Sequence, residues 1–219
     1  VRENQKWPDA IWVVRHGESA GNVARDAAEA AGLAVIDIPV RDVDVTLSPL
    51  GERQAVALGQ WFGKMSPKEW PNVVLVSPYI RARETARLAL EAAGIDRDDI
   101  TFTVDERLRE KEFGIFDRLT RLGVQEKYPD QAEARTILGK FYHRPPGGES
   151  WCDVILRLRN VIDTITRDYR RERVLIVAHQ VIVLCFRYLL ERMTEEEILA
   201  IDKAQEVANC SVTSYEFAP

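Results

Sequence analysis

The stretch Ile11, Trp12, Val13, Val14, Arg15, His16, Gly17, Glu18 decides the fold. Its first four residues are apolar, mostly β-branched and free of polar alternation, which is the pattern of a strand buried on both faces of a parallel sheet. The run then breaks off on a cation, an imidazole and a glycine, so it delivers two reactive side chains to the end of a strand. Similar runs stand at residues 73–76, 101–104 and 174–178, and Ser211 to Phe217 alternates like one further edge strand.

Helical patterns fall between these runs. Ser48 and Pro49 open one, with Leu58, Trp61 and Phe62 on its apolar side, and Ser77 and Pro78 open another that runs to Ala93 and stops at Gly94. Ser150 and Asp153 have capping-box spacing, after which Trp151, Val154, Leu158, Val161, Ile165 and Tyr169 recur at helical intervals. Strands alternating with helices predict an α/β fold: a single-domain three-layer α/β/α sandwich with a mainly parallel sheet, covering residues 1–219. The poorly patterned segment at about 111–148, rich in Arg, Gly and Pro, reads as an insertion over one end of the sheet and over the site.

The composition excludes several classes. With 219 residues, 46% hydrophobic and 30% charged, the chain has the make-up of an ordinary globular domain. A net charge of −5 leaves no general attraction to polyanions, so neither nucleic acid nor a membrane is expected as a partner. Cys152, Cys185 and Cys210 are odd in number, widely spaced and without a CxxC pattern, which argues against a disulfide framework or a zinc site and for small apolar packing. Val1 to Asp9 lacks the apolar core of a signal peptide, and a cytoplasmic location is the expectation. A homodimer through an exposed edge strand stays open.

In open α/β sheets, ligands bind beyond the carboxyl ends of the strands. The polar residues of this chain fall at those ends: Arg15, His16 and Asn22 after the first run, Ser77 and Arg81 after the second, Glu106 and Glu110 after the third, His179 after the fourth. Together they suit phosphoryl transfer from a monoester. An imidazole attacks phosphorus and carries the group covalently, guanidiniums hold the phosphoryl oxygens, and a carboxylic acid protonates the departing alkoxide. The scattered carboxylates have no HxH or HExxH spacing, so no metal and no cofactor are expected.

At these residues the chain resembles the histidine phosphatase superfamily, in its phosphoglycerate-mutase-like branch. Arg15, His16, Gly17, Glu18, Ser19 and Asn22 match the opening motif; Leu47, Ser48, Gly51, Gln54 and Ala55 match a second; Ser77, Pro78, Arg81, Ala82, Thr85 and Ala86 match the second arginine motif. Leu108, Glu110 and Gly114 match the acid motif, Gly148, Glu149 and Ser150 the segment before the long helix, and Val177, Ala178 and His179 the second-histidine motif. The resemblance implies that His16 is the phosphorylated nucleophile and Glu110 the proton donor. It implies that Arg15, Arg81 and His179 bind the phosphoryl group with Asn22 assisting. Gln180 stands where the family usually has Gly, and its side chain either adds a donor to the phosphate pocket or fills space.

Some assignments rest on the motif register alone. If residues 108–114 are extended, Glu110 and Glu112 share a face, and spacing cannot separate them. Glu106 and Glu112 read as surface or salt-bridge residues, Glu149 as a first-turn helix acid beside Ser150, and His143 either contacts substrate or lies on an exposed loop. Three reactions compete: a phosphatase, a cofactor-dependent phosphoglycerate mutase, and a phosphate-binding module without turnover. The full set of reactive residues disfavours the last. The mutases continue the acid motif with Gly-Leu-x-Gly-Leu-Asn-Lys, whereas here Gly114 is followed by Ile115, Phe116, Asp117, Arg118, Leu119 and Thr120, so hydrolysis of a small phosphorylated substrate or a phosphoprotein is the expectation.

Overall fold

A computed structural model describes residues 4–218. Its centre is a sheet of five strands: β1 (Ala10–Arg15), β2 (Val73–Val76), β3 (Thr101–Val104), β4 (Arg173–Ala178) and β5 (Val212–Glu216). They lie in the order β3-β2-β4-β1-β5, all parallel except β5, which runs antiparallel beside β1. The order places β2, β4 and β1 side by side in the middle. Arg15 stands opposite Ala178 and Val76 opposite Val177, so three central strands end level with one another.

Helices cover both faces. On one side α2 (Pro49–Gly63) and α3 (Ile80–Ala93) bury Leu58, Phe62, Ala82, Ala86 and Leu90 against Trp12, Val14, Val74, Val76, Leu175 and Val177. On the other, α6 (Trp151–Asp168), α7 (Gln180–Leu190) and α8 (Glu195–Ala204) bury Trp151, Val154, Leu158, Val161, Ile165, Ile182, Phe186 and Ile198 against Ile11, Val13, Leu75 and Ile176. Neighbouring residues of one strand thus enter opposite cores, as the two-residue period of a strand requires. The unbroken apolar runs follow from this. Each fully buried aliphatic or aromatic side chain contributes about 1.5–3 kcal/mol of transfer energy.

Several expectations need correction. β3 is an edge strand with Thr101 and Val104 exposed, because it pairs only with β2. Trp61 is 41% exposed and packs edge-on against Phe62 from outside the core. Helix α3 begins at Ile80 rather than at Ser77 and Pro78, and the Ser77 hydroxyl accepts from the Tyr79 N–H at 3.3 Å and lies 2.7 Å from His179 Nε2. The segment 111–148 is largely helical, with α4 (Arg121–Lys127) and α5 (Pro129–Tyr142). Its pattern is hard to read because α5 carries Ile137 and Leu138 exposed and is interrupted by the non-helical Gly139. By contrast Ser48 and Ser150 cap α2 and α6 as their spacing implies, each accepting a backbone N–H three residues on, at 3.1 Å in both cases.

The start of α2 abuts the loop after β1. A Cβ on Gly51 would lie 1.9 Å from the Glu18 carbonyl oxygen, and one on Gly17 would lie 2.5 Å from the carbonyl oxygen of Gly51. Two facing glycines allow that approach, and a backbone contact has no flexible end to yield. Gly51→Ala is therefore expected to lower stability by about 1–3 kcal/mol, read as a lower midpoint in urea at unchanged slope.

Candidate active site

The loop after β1 carries the nucleophile candidate. The His16 N–H donates to the Ala178 carbonyl at 2.9 Å, and the His16 carbonyl accepts from Asn209 Nδ2 at 2.9 Å, so neighbouring segments fix the residue from both sides. His16 Nδ1 lies 2.6 Å from the Gly17 carbonyl oxygen. A carbonyl only accepts, so Nδ1 carries the proton and Nε2 presents its lone pair. Burial, with Arg81 and Arg15 nearby, holds the His16 pKa well below its usual value, which keeps the imidazole neutral.

Arg81, the second residue of α3, donates from Nε to His16 Nε2 at 3.3 Å. Arg15, at the end of β1, has its Nη groups on the Val207 carbonyl and on Glu206, the latter at 3.1 Å, while its Nε is buried without a partner. His179 follows β4 and is fully buried, with Nε2 2.7 Å from the Ser77 hydroxyl and Nδ1 buried without a partner. The His16 and His179 rings are 5.2 Å apart between centroids. Burial, followed by Arg81 and His16, pushes the His179 pKa well down. The buried Arg15 Nε–H lacks an acceptor, and so does His179 Nδ1 when the Ser77 hydroxyl donates to Nε2; a ligand with acceptor oxygens satisfies both.

Asn22 belongs to the capping box of α1 (Ala20–Ala30). Its Oδ1 accepts from the Ser19 N–H at 3.0 Å, which leaves the Nδ2 donors for the cavity that Asn22 lines. Gln180, the first residue of α7, lines the same cavity.

Glu110 and Glu112 are separated by shape. The chain from Glu106 to Leu108 is a short 3₁₀ turn, and the segment after it is not a strand, so the period-two ambiguity does not arise. Glu110 turns into the cavity, where it accepts from the Lys111 N–H at 2.7 Å, whereas Glu112 is exposed beside Arg109. Burial raises the Glu110 pKa; the Lys111 N–H, Arg81 and Arg15 oppose the rise and Asp42 adds to it.

Glu149 is not a first-turn helix acid. It precedes the cap of α6 and accepts from Arg157 at 2.9 and 3.0 Å and from the Glu112 N–H at 3.0 Å. Arg157 also donates to the Arg107 and Glu110 carbonyls, so this pair holds the loop that carries Glu110. His143 is buried, not on an exposed loop, and stacks on Phe116 at 5.8 Å between centroids. Asp42, Glu206 and Asn209 were not legible as site residues. Each reaches the site from a loop remote in sequence, and none belongs to a motif.

Arg15, His16, Asn22, Asp42, Arg81, Glu110 and Gln180 line one cavity of about 370 Å³, with walls including Ile36, Ile38, Phe116 and Leu119 and with Lys111, Arg135 and His143 contributed by the 111–148 segment; His179 is fully buried beside His16. Among the described residues no group of three or more His, Cys, Asp or Glu is arranged to hold a metal ion, and no helix is long and apolar enough to cross a membrane.

The sheet of this α/β protein ends on His16 and His179 with the buried Arg15 and Arg81 beside them. The chain belongs to the histidine phosphatase superfamily (branch 1), whose family model matches residues 11–219. It is 28% identical over 222 residues to a phosphoglycerate mutase-like protein of Arabidopsis thaliana, covering 96% of this chain and 74% of that one. It is 31% identical over 190 residues to 6-phosphofructo-2-kinase/fructose-2,6-bisphosphatase of Gallus gallus, covering 86% of this chain but only 34% of that longer protein. Among solved structures, mycobacterial glucosyl-3-phosphoglycerate phosphatase in complex with VO3 superposes with a TM-score of 0.69 at 25% identity, covering 94% of this chain and 90% of that one.

Proposed function

We propose that the protein is a phosphomonoester hydrolase working through a phosphohistidine on His16. The observation that carries this reading is the Nδ1 contact to Gly17, which leaves a neutral imidazole with its Nε2 lone pair in the cavity beside Arg81. In the first step Nε2 attacks phosphorus, the bond from phosphorus to the ester oxygen breaks, and the leaving alkoxide takes the Glu110 proton. In the second step water attacks the phosphohistidine while the Glu110 carboxylate takes its proton, releasing inorganic phosphate and restoring neutral His16. Arg81, the free Arg15 Nε, the free His179 Nδ1 and the Asn22 amide are the donors for the phosphoryl oxygens, each charge-assisted contact contributing about 1.5–3 kcal/mol.

The basic side chains in the cavity wall support a substrate with a second anionic group. Lys111 and Arg135 line it, and among the described residues neither has a carboxylate within ion-pair distance; burial lowers the Lys111 pKa to about 8. Relatives whose names carry a bisphosphate or a phosphoglycerate point the same way.

The test is release of inorganic phosphate from an aryl phosphate, from glycerol 3-phosphate and from 3-phosphoglycerate. Turnover is expected on all, with kcat/KM higher for 3-phosphoglycerate than for glycerol 3-phosphate, which lacks the carboxylate. Exhaustive chelation is expected to leave the rate unchanged, because arginines supply the positive charge. Appearance of 2-phosphoglycerate in the presence of catalytic bisphosphoglycerate, without free phosphate, establishes a mutase instead.

A further inference from the structure

Arg15 and Arg81 are held differently. Arg15 keeps a buried Nε in reserve. Arg81 has all three nitrogens engaged: Nε on His16 Nε2, Nη1 on the Asp42 carbonyl oxygen at 2.6 Å and on Asp42 Oδ1 at 3.0 Å, and Nη2 on Asp42 Oδ2 at 3.3 Å. Asp42 opens a single 3₁₀ turn, Asp42–Asp44, in the connection between α1 and α2. Its side chain is 43% exposed while that of Arg81 is 7% exposed, so a surface carboxylate reaches inward to a buried cation in the cavity of the nucleophile.

A phosphoryl dianion on His16 requires the same guanidinium. Leaving Asp42 in place sets two like charges side by side on one cation, which costs binding. Of the two anions, the carboxylate whose side chain is 43% exposed is the one that can withdraw into water. We propose that Asp42 is a built-in competitor for Arg81, exchanging with the phosphoryl group and so weakening the hold of the site on inorganic phosphate. The proposal rests on the phosphatase reading and says what limits affinity within it.

The competition has a use. Donors placed around His16 bind product phosphate as well as they bind the substrate phosphoryl group, and such uniform binding slows turnover once release limits it. A carboxylate that returns to Arg81 as phosphate departs keeps the buried guanidinium paired at each stage, avoiding the penalty of an isolated buried charge. The alternative, that Asp42 only props Arg81 in position, predicts the opposite sign, since loss of a prop weakens phosphate binding.

Titration calorimetry of inorganic phosphate into the full chain separates the two. Asp42→Asn is expected to bind phosphate about tenfold more tightly than the unaltered protein, with Asp42→Ala moving in the same direction and the product-inhibition constant falling in parallel. Asp44→Asn removes a carboxylate from the same turn, where it pairs with Arg41 outside the cavity, and is expected to leave phosphate affinity unchanged. Unchanged or weaker binding in Asp42→Asn overturns the proposal alone, as does equal tightening in Asp44→Asn, which assigns the effect to bulk charge. Failure of every protein, the unaltered one included, to bind phosphate overturns the active-site reading and the proposal with it.

Discussion

His16→Ala is expected to reduce phosphate release by about five orders of magnitude, on the scale of removing a covalent nucleophile from a preorganised site. The loss is chemical rather than structural. The backbone contacts that seat this residue, to the Ala178 carbonyl and from Asn209, do not involve its side chain and survive the substitution. Unfolding midpoints in urea are the control. Brief exposure of the unaltered protein to a labelled phosphomonoester, followed by a quench, is expected to leave acid-labile, base-stable label on the chain, the behaviour of a phosphoramidate. The same treatment of His16→Ala is expected to leave none, and label persisting there removes His16 from the nucleophile role. Because the His16 pKa is held well below the ordinary histidine value, the imidazole stays neutral down to pH values at which a solvated histidine protonates. The acidic limb of kcat/KM for an aryl phosphate therefore falls well below the usual histidine range. The linked stability effect has the same sign: a depressed pKa in the fold means stability present above the unfolded value is lost as pH falls.

The strands were legible because burial on both faces leaves an unbroken apolar run, and a run that stops on Arg15 and His16 marks its own end. Pairing could not be read the same way. The exposed residues of β3 follow from its edge position in the order β3-β2-β4-β1-β5, a property of the assembled sheet rather than of Thr101–Val104. Ser77 shows how a local signal is overridden: Ser followed by Pro resembles a cap, but the hydroxyl instead faces His179 Nε2, and α3 starts beyond it. That Arg15, His16 and Arg81 come together at one cavity was legible from their places at strand ends, whereas the residues that hold them were not. Glu206 meets Arg15 and Arg25, Asn209 meets the His16 carbonyl, and Cys210 donates its N–H to the Arg15 carbonyl, all from one connection near residue 207 that has no periodicity to read. In sequence Glu149 resembles a helix acid, because its partner Arg157 lies two turns along α6; the pair holds the loop of Glu110.

Glu110→Gln is expected to lower kcat/KM for an alkyl phosphate by about 10²–10⁴ and for a nitrophenyl phosphate far less. An alkoxide leaves badly without a proton, while a nitrophenolate leaves without help, so the contrast between the two substrates isolates the acid. Geometry selects Glu110 over its neighbours: it faces the cavity that His16 lines, whereas Glu112 lies at the surface beside Arg109 and Glu106 is exposed. Electrostatics supplies the proton. Burial raises the Glu110 pKa, Asp42 adds to that rise, and the Lys111 N–H, Arg81 and Arg15 oppose it. The sign for activity follows: the donor is competent only while protonated, so a raised pKa carries competence upward in pH, and alkyl-phosphate turnover falls as pH rises through that pKa. The incoming phosphoryl dianion pushes the pKa further in the same direction by placing another negative charge beside the carboxyl group. In Glu110→Gln that alkaline limb is expected to disappear from the alkyl-phosphate profile, since the amide does not titrate, while the aryl-phosphate profile keeps the limb set by His16. Glu106→Gln and Glu112→Gln are expected to retain nearly full activity on both substrates. Equal losses on alkyl and aryl substrates in Glu110→Gln show that the residue positions the phosphoryl group rather than protonating the leaving group, and a selective loss in Glu112→Gln instead transfers the donor role to a side chain that must first turn in from the surface.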